Sequence, residues 1–268
     1  MLLGLKSSVD PNQVESRLKH QPSVFEFYTS EEDFTKEGLS RLEQGIRRVK
    51  DAGIRDINLH HPVFYRGEML ELVAKADCHP QLVDFIDYST RTLLDLATKY
   101  DIQVLVHGSY EKQTHAFIAD YQSLAEATEV LWQRLDTYRD LGQDRIMFEN
   151  SISPLFCFGD RELEREIVKR GYRLAYDVSH AFIALKGNQE ALEESLTYLK
   201  DHIVHYHLVD SKGQEHDSLP LGQGSIDWKR VIPLLNPKAT SIYEIDLADM
   251  LDPKEQLASH AYLQQLFP

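Results

Sequence analysis

Cysteine is scarce in this 268-residue chain: Cys78 and Cys157 are the only two, and they do not form a Cys-x-x-Cys spacing. That excludes a disulfide framework and a zinc finger as organising features. Both thiols are expected as small buried hydrophobes in a reduced compartment. Long apolar runs are also missing. No stretch approaches the ~20 residues a membrane helix needs, and the opening Met-Leu-Leu-Gly-Leu is too short for the apolar core of a signal peptide. The cytoplasm is the expected location, with no membrane partner. Positive charge is in deficit, with 29 basic against 43 acidic residues and a formal net charge of −14. Such a chain repels polyanions at long range, so nucleic acid is not the expected partner. Finally, there is no Walker loop, no Rossmann glycine fingerprint and no Gly-x-Ser-x-Gly elbow.

What is present is alternation. Short β-like runs cover Leu2–Ser7, Val24–Tyr28, Asp56–His61, Ile102–His107, Arg145–Glu149, Tyr172–Asp177, Ile203–Val209 and Ser241–Ile245. Helical patterns lie between them. Leu39, Leu42, Ile46 and Val49 recur at spacings of three and four, as do Leu124, Leu131, Leu135 and Tyr138 further on. Asp10-Pro11 and Asp252-Pro253 read as an N-cap followed by proline at the first helical position. Gly53, Gly142 and Gly171 read as helix stops. Eight strand–helix units imply an α/β fold, a single parallel eight-stranded (β/α)8 TIM barrel spanning residues 1–268. Three connections are long: Pro62–Pro80, with a helical stretch expected at Gly67–Ala76 as a lid, Gly108–Asp120, and Asp210–Ser225.

Residues with metal-ligand chemistry sit where six consecutive strands end: His61, His107, Glu149, Asp177 with His180, His207 and Glu244. With 43 acidic residues and 12 histidines in the chain, chance rarely puts one at each of six successive ends. Buried carboxylates and imidazoles are costly unless paired, and a divalent cation pairs with several at once. A lone Glu149 would more often cap a helix, and Asp177 could do only that; the joint pattern favours ligation. His205 shares the face of His207 one layer down and reads as a hydrogen-bonded core histidine. His61 continues the face of Ile57 and Leu59, so His61 is expected inward and His60 structural. The loop after His207 adds Lys212, His216 and the Gly222-Gln223-Gly224 turn as residues expected to shape a substrate pocket.

These residues resemble the xylose isomerase-like barrel superfamily, over roughly Asp56 to Ile245. The resemblance implies one divalent metal on Glu149, Asp177, His207 and Glu244, with Glu149 and Glu244 also acting as acid and base. It places His61, His107 and the Asp177-Val178-Ser179-His180 turn at positions used by endonuclease IV-type members. That branch also has an Asp six and a His four residues before the Gly-x-Gly, holding a third metal, where this chain departs from the pattern with His216 and Ser218.

The function expected is divalent-metal-dependent isomerisation or epimerisation of a small sugar or polyhydroxy carbonyl compound through an enediolate. The alternative is endonuclease IV-like phosphodiester hydrolysis, with His61, His107, His180 and His216 at a second metal or on substrate. An inactive barrel serving as a binding protein is the least favoured reading. Zinc or manganese is the expected cofactor, with magnesium or cobalt compatible. The expected partner is a small carbohydrate, and a homo-oligomer is compatible with the sequence.

Overall fold

The computed structural model describes residues 1–267. Eight parallel strands follow one another around a nearly closed barrel in chain order: β1 (Gly4–Ser7), β2 (Val24–Tyr28), β3 (Asp56–His60), β4 (Gln103–His107), β5 (Ile146–Glu149), β6 (Leu174–Asp177), β7 (Ile203–Leu208) and β8 (Thr240–Tyr243). Helices fill the connections, as a parallel sheet requires. The (β/α)8 expectation holds, and every strand falls inside or within one residue of its expected run.

Alternation along the strands sorts side chains into two populations. Phe25, Phe27, Ile57, Leu59, Val104, Val106, Phe148 and Tyr176 join the main hydrophobic core between sheet and helices. The opposite parity fills the barrel interior. There Leu105, Met147 and Ala175 form a small separate apolar cluster, while Lys6, Glu26 and Asn58 pair in one row across β1, β2 and β3. The apolar strand face is therefore the helix-facing one.

The helices obey their local signals. Lys36–Asp51 buries Leu42, Ile46 and Val49, and Leu124–Gly142 buries Leu131, Leu135 and Tyr138. Asp10 caps Pro11–Leu18 by accepting from the backbone N–H groups of Asn12 and Gln13. At the C-terminal helix, Lys254–Leu266, the expected cap fails: Pro253, not Asp252, occupies the N-cap position, with no side-chain cap hydrogen bond. Gly171 ends its helix at φ 69°. Gly142 instead makes room, since a Cβ there would lie 2.7 Å from Ile146.

Two further expectations fail. The Gly67–Ala76 stretch is not helical. Phe64–Tyr65 and Glu68–Met69 form an antiparallel hairpin, because Arg66 and Gly67 both take positive φ, 51° and 83°, the two-residue turn that suits strand twist. The cysteines are not core residues either: Cys78 is exposed and Cys157 half-buried. Among the described residues, no helix is long and apolar enough to cross a membrane.

The seam between β1 and β8 depends on close backbone approach. A Cβ on Gly4 would stand 1.8 Å from the carbonyl oxygen of Ser241. Gly4→Ala is expected to lower stability by about 1–3 kcal/mol through forced displacement of the seam. A melting curve indistinguishable from wild type would contradict this closure.

Candidate metal centre

The C-terminal ends of the strands deliver one buried cluster. Glu149 ends β5, Asp177 ends β6, His207 lies in β7 and Glu244 follows β8. Ligand atoms of these four lie within 4.8 Å of one another. His207 Nδ1 stands 3.0 Å from Glu149 Oε1 and 3.9 Å from Asp177 Oδ2, and contacts Glu244 Oε2. A second set, His60, His107 and Glu149, shares the Glu149 carboxylate: His107 Nε2 is 3.0 Å and His60 Nε2 3.4 Å from Oε2.

Local structure aims these groups. Asp177 caps the helix Val178–Ala184, its Oδ1 accepting from His180 N and Ser179 Oγ, which leaves Oδ2 facing His207. Asn150 locks the ends of β5 and β6 together, accepting from Asp177 N at 2.8 Å and donating to Asp177 O at 3.0 Å. His180 Nδ1 meets the carbonyl of Asn150 at 3.0 Å, and His180 Nε2 meets His216 Nε2 at 2.8 Å.

Electrostatics couple these buried groups tightly. Burial pushes the Asp177 carboxyl up, and Glu149 and Glu244 push it further. Burial also opposes ionisation of Glu149, but His107 and His207 outweigh it and hold that carboxyl well below the ordinary range. Burial disfavours charge on His207 too, yet Glu149, Glu244 and Glu26 hold its imidazole well above the ordinary value. Both Glu149 oxygens, His207 Nδ1 and His60 Nε2 are buried and, although close to oppositely charged groups, make no hydrogen bond of good geometry among the described residues. Buried polar atoms of this kind normally have one. Their chemistry and convergence fit a divalent cation of the kind that binds imidazole and carboxylate together.

Above the cluster opens a cavity of about 700 Å³. His60, His107, His180, His216 and Glu244 reach it, and the Phe64–Met69 hairpin forms part of its wall.

Several placements differ from expectation. His61 is not in the mouth. It packs on the helix side, its Nε2 2.8 Å from Ser89 Oγ, and His60 takes the inward position. One residue of parity decides this: Ile57 and Leu59 belong to the outer core, and His61 shares their face. Lys212 is exposed, and neither it nor Gly222 nor Gly224 lines the cavity. Asp210 explains why. Its carboxylate accepts from the N–H groups of Ser211, Gly222 and Ile226 and from Trp228 Nε1, so the Gly-x-Gly turn wraps Asp210 instead of substrate. A Cβ on Gly224 would sit 2.2 Å from Asp210 Oδ1. The same loop carries His216 and Ser218 to the cavity wall.

Two residues outside the strand-end pattern, Lys6 and Glu26, also join the centre. Lys6 Nζ contacts Glu244 Oε1 and lies 3.3 Å from Glu26 Oε1. Glu26 meets His207 and His205. Their signal lies in Gly-Leu-Lys-Ser and Phe-Glu-Phe: a charge within a strand whose alternate residues, Leu5 or Phe25 and Phe27, face outward must face the barrel interior.

Residues 161–262 match the family model described as a xylose isomerase-like TIM barrel. No curated protein matches the chain. Among solved structures, a D-tagatose 3-epimerase-like protein superposes with TM-score 0.74 at 19% identity, covering 99% of this chain and 97% of that one. D-psicose 3-epimerase from Clostridium cellulolyticum gives 0.72 at 13% identity, with 99% of each chain covered. Endonuclease IV from Thermus thermophilus gives 0.63 at 16% identity, covering 99% of this chain and 100% of that one. At these identities the likeness is one of fold.

The corrected place of His61 has a pH consequence. Burial, helped by the neighbouring His60, pushes its imidazole down to about 3, whereas an unfolded histidine titrates near ~6.5. Below that value the unfolded chain binds a proton that the folded chain refuses, so stability falls as pH drops from about 6.5 towards 3. His61→Leu is expected to flatten this part of the stability–pH curve without changing divalent-metal affinity. An unchanged slope, or lost metal binding, would return His61 to the mouth.

Proposed function

We infer that this xylose isomerase-like barrel is a divalent-metal-dependent isomerase or epimerase of a small polyhydroxy carbonyl compound. The observation that carries the reading is the pair of glutamates, Glu149 and Glu244, flanking His207 Nδ1 beneath the cavity, whose wall Glu244 joins. A cavity of about 700 Å³ lies within the roughly 300–1,000 Å³ typical of small-molecule sites. The epimerases among the solved structures of similar fold support the same substrate class.

Glu149, Asp177, His207 and Glu244 would hold the ion. Bound there, it supplies Lewis acidity towards a carbonyl and its neighbouring hydroxyl. The chain's own residues do the rest. One glutamate, ionised, takes the proton from the carbon next to the carbonyl, and the other, having first taken up a proton from solvent, delivers that proton to the carbon, on the opposite face when the product is an epimer. Both carboxylates are held ionised, Glu149 by His107 and His207 and Glu244 by His207 and Lys6, each against the opposing effect of burial. Glu244 is 31% exposed, so it can meet substrate directly. His60, His107 and His180 face the cavity as hydrogen-bonding groups for substrate hydroxyls.

One observation favours a second reading. His60, His107 and Glu149 are a ligand set of their own beside the first, and two ions ~4 Å apart are the arrangement that clamps both oxygens in phosphodiester hydrolysis. The net charge of −14 weighs against a polyanionic substrate, as do His216 and Ser218 where the hydrolase pattern needs Asp and His.

Glu149→Gln preserves shape and removes an anionic ligand and a base. Turnover is expected to fall by ~10² or more with the fold intact; retention of more than about a tenth of wild-type activity, assayed beside a melting curve, would count heavily against the assignment. Exhaustive chelation is expected to lower both melting temperature and activity, since metal binds the folded state preferentially. Unchanged values would end the metal reading. His107→Ala separates the two chemistries. Weaker substrate binding with metal per chain unchanged supports the isomerase. Loss of about one metal equivalent together with activity, and cleavage of an abasic-site oligonucleotide by the native protein, would support the hydrolase.

A further inference from the structure

Glu26 stands outside the four-ligand set, yet it is wired into it. It lies in the middle of β2 and is fully buried, facing the barrel interior between the outward Phe25 and Phe27. Its carboxylate meets His207 Nε2 at 3.1 and 3.3 Å through its two oxygens. It also meets His205 Nε2 at 3.3 Å, Lys6 Nζ at 3.3 Å and Asn58 Nδ2 at 3.4 Å. Among the described residues nothing else in the centre accepts from His207 Nε2, while His207 Nδ1 is the nitrogen turned to Glu149, Asp177 and Glu244.

A carboxylate is an acceptor only, so the nitrogen facing it must carry the hydrogen. Nδ1 also faces carboxylates, so an ion held there would take the place of its proton, leaving the hydrogen of Nε2 on Glu26 and the lone pair of Nδ1 for the ion. Partners of this kind on the far nitrogen of a metal-ligating histidine fix ring orientation and tautomer. We propose that Glu26 is the positioning residue of the metal centre: by accepting the Nε2 hydrogen of His207 it presents Nδ1 to the ion, and through Lys6 it holds Glu244 at the same edge of the site. The proposal rests on the metal-centre reading above.

A rival role for the same atoms is ligation. Glu26, His205 and His207 also have ligand atoms within 4.8 Å of one another. The Lys6 ammonium at 3.3 Å already supplies this carboxylate with positive charge, and a cation beside it would be repelled. His205 Nδ1, moreover, is engaged by Thr240 Oγ1 at 2.6 Å. His207 Nε2 and Asn58 Nδ2 serve Glu26 Oε2, and the Lys6 ammonium faces Oε1, so the group is compensated without a second ion.

The test compares wild type, Glu26→Gln and Glu26→Asp, with Asp included because it keeps the charge should the neutral variant fold poorly. Zinc affinity and equivalents per chain are measured by competitive titration, and the His207 Nε2–H proton is followed by NMR with 15N-labelled histidine, in zinc-free and zinc-loaded protein. Expected are a protected, downfield Nε2–H signal in wild type that moves upfield or disappears in Glu26→Gln, a roughly 10–100-fold loss of zinc affinity at unchanged stoichiometry, and partial recovery in Glu26→Asp. An Nε2–H signal indifferent to Glu26→Gln, or affinity within about twofold of wild type, would overturn the proposal. So would loss of a whole zinc equivalent, which would make Glu26 a ligand. If wild type binds no zinc, the metal-centre reading fails, and the Nε2–H signal still decides whether Glu26 holds the ring.

Discussion

Buried negative charge is the constraint on which the rest of this structure depends. Glu26, Glu149 and Asp177 are fully buried at or just below the barrel mouth, with Glu244 at their edge. Carboxylates held this close in a poorly solvated space repel one another and lose hydration. The protein supplies only part of the compensating charge, from Lys6 and from His207, whose imidazole Glu149, Glu244 and Glu26 hold well above its ordinary value against burial. A divalent cation would compete with protons for these ligand atoms, so metal affinity is expected to rise with pH.

The barrel makes this concentration tolerable by dividing labour between strand faces. The outward face carries the apolar mass that holds strands to helices, with Phe25, Phe27, Leu59, Val106 and Phe148 in one continuous core. Stability therefore does not require an apolar interior at the mouth. Loops then fix the rim. Asn150 ties β5 to β6, and Asp210 gathers the loop after β7 into a closed turn that brings His216 up to His180. Each tie uses a side chain to satisfy backbone groups that the ends of strands leave open.

The fold is legible in the sequence because strand–helix alternation is a local signal repeated eight times. The buried cluster Glu149, Asp177, His207 and Glu244 is legible as a pattern because every member falls at the end of a strand-like run. Parity is harder. Reading Ile57 and Leu59 as the inward face of β3 puts His61 in the mouth, and a short run of apolar residues does not say which face meets the helices. Lys6 and Glu26 fall outside a pattern of strand ends because these two act from mid-strand. The hairpin at Arg66-Gly67 and the packing of Gly222 and Gly224 on Tyr262 and Asp210 depend on backbone geometry and long-range contacts that spacing does not carry.

The central claim is that four named side chains hold one divalent cation at the barrel mouth. Anomalous diffraction from crystals grown without chelator and soaked in zinc or manganese, recorded at both metal edges, tests it most directly. The account predicts a strong peak bounded by Glu149, Asp177, His207 Nδ1 and Glu244. No peak there, or ions only against other groups, would contradict it.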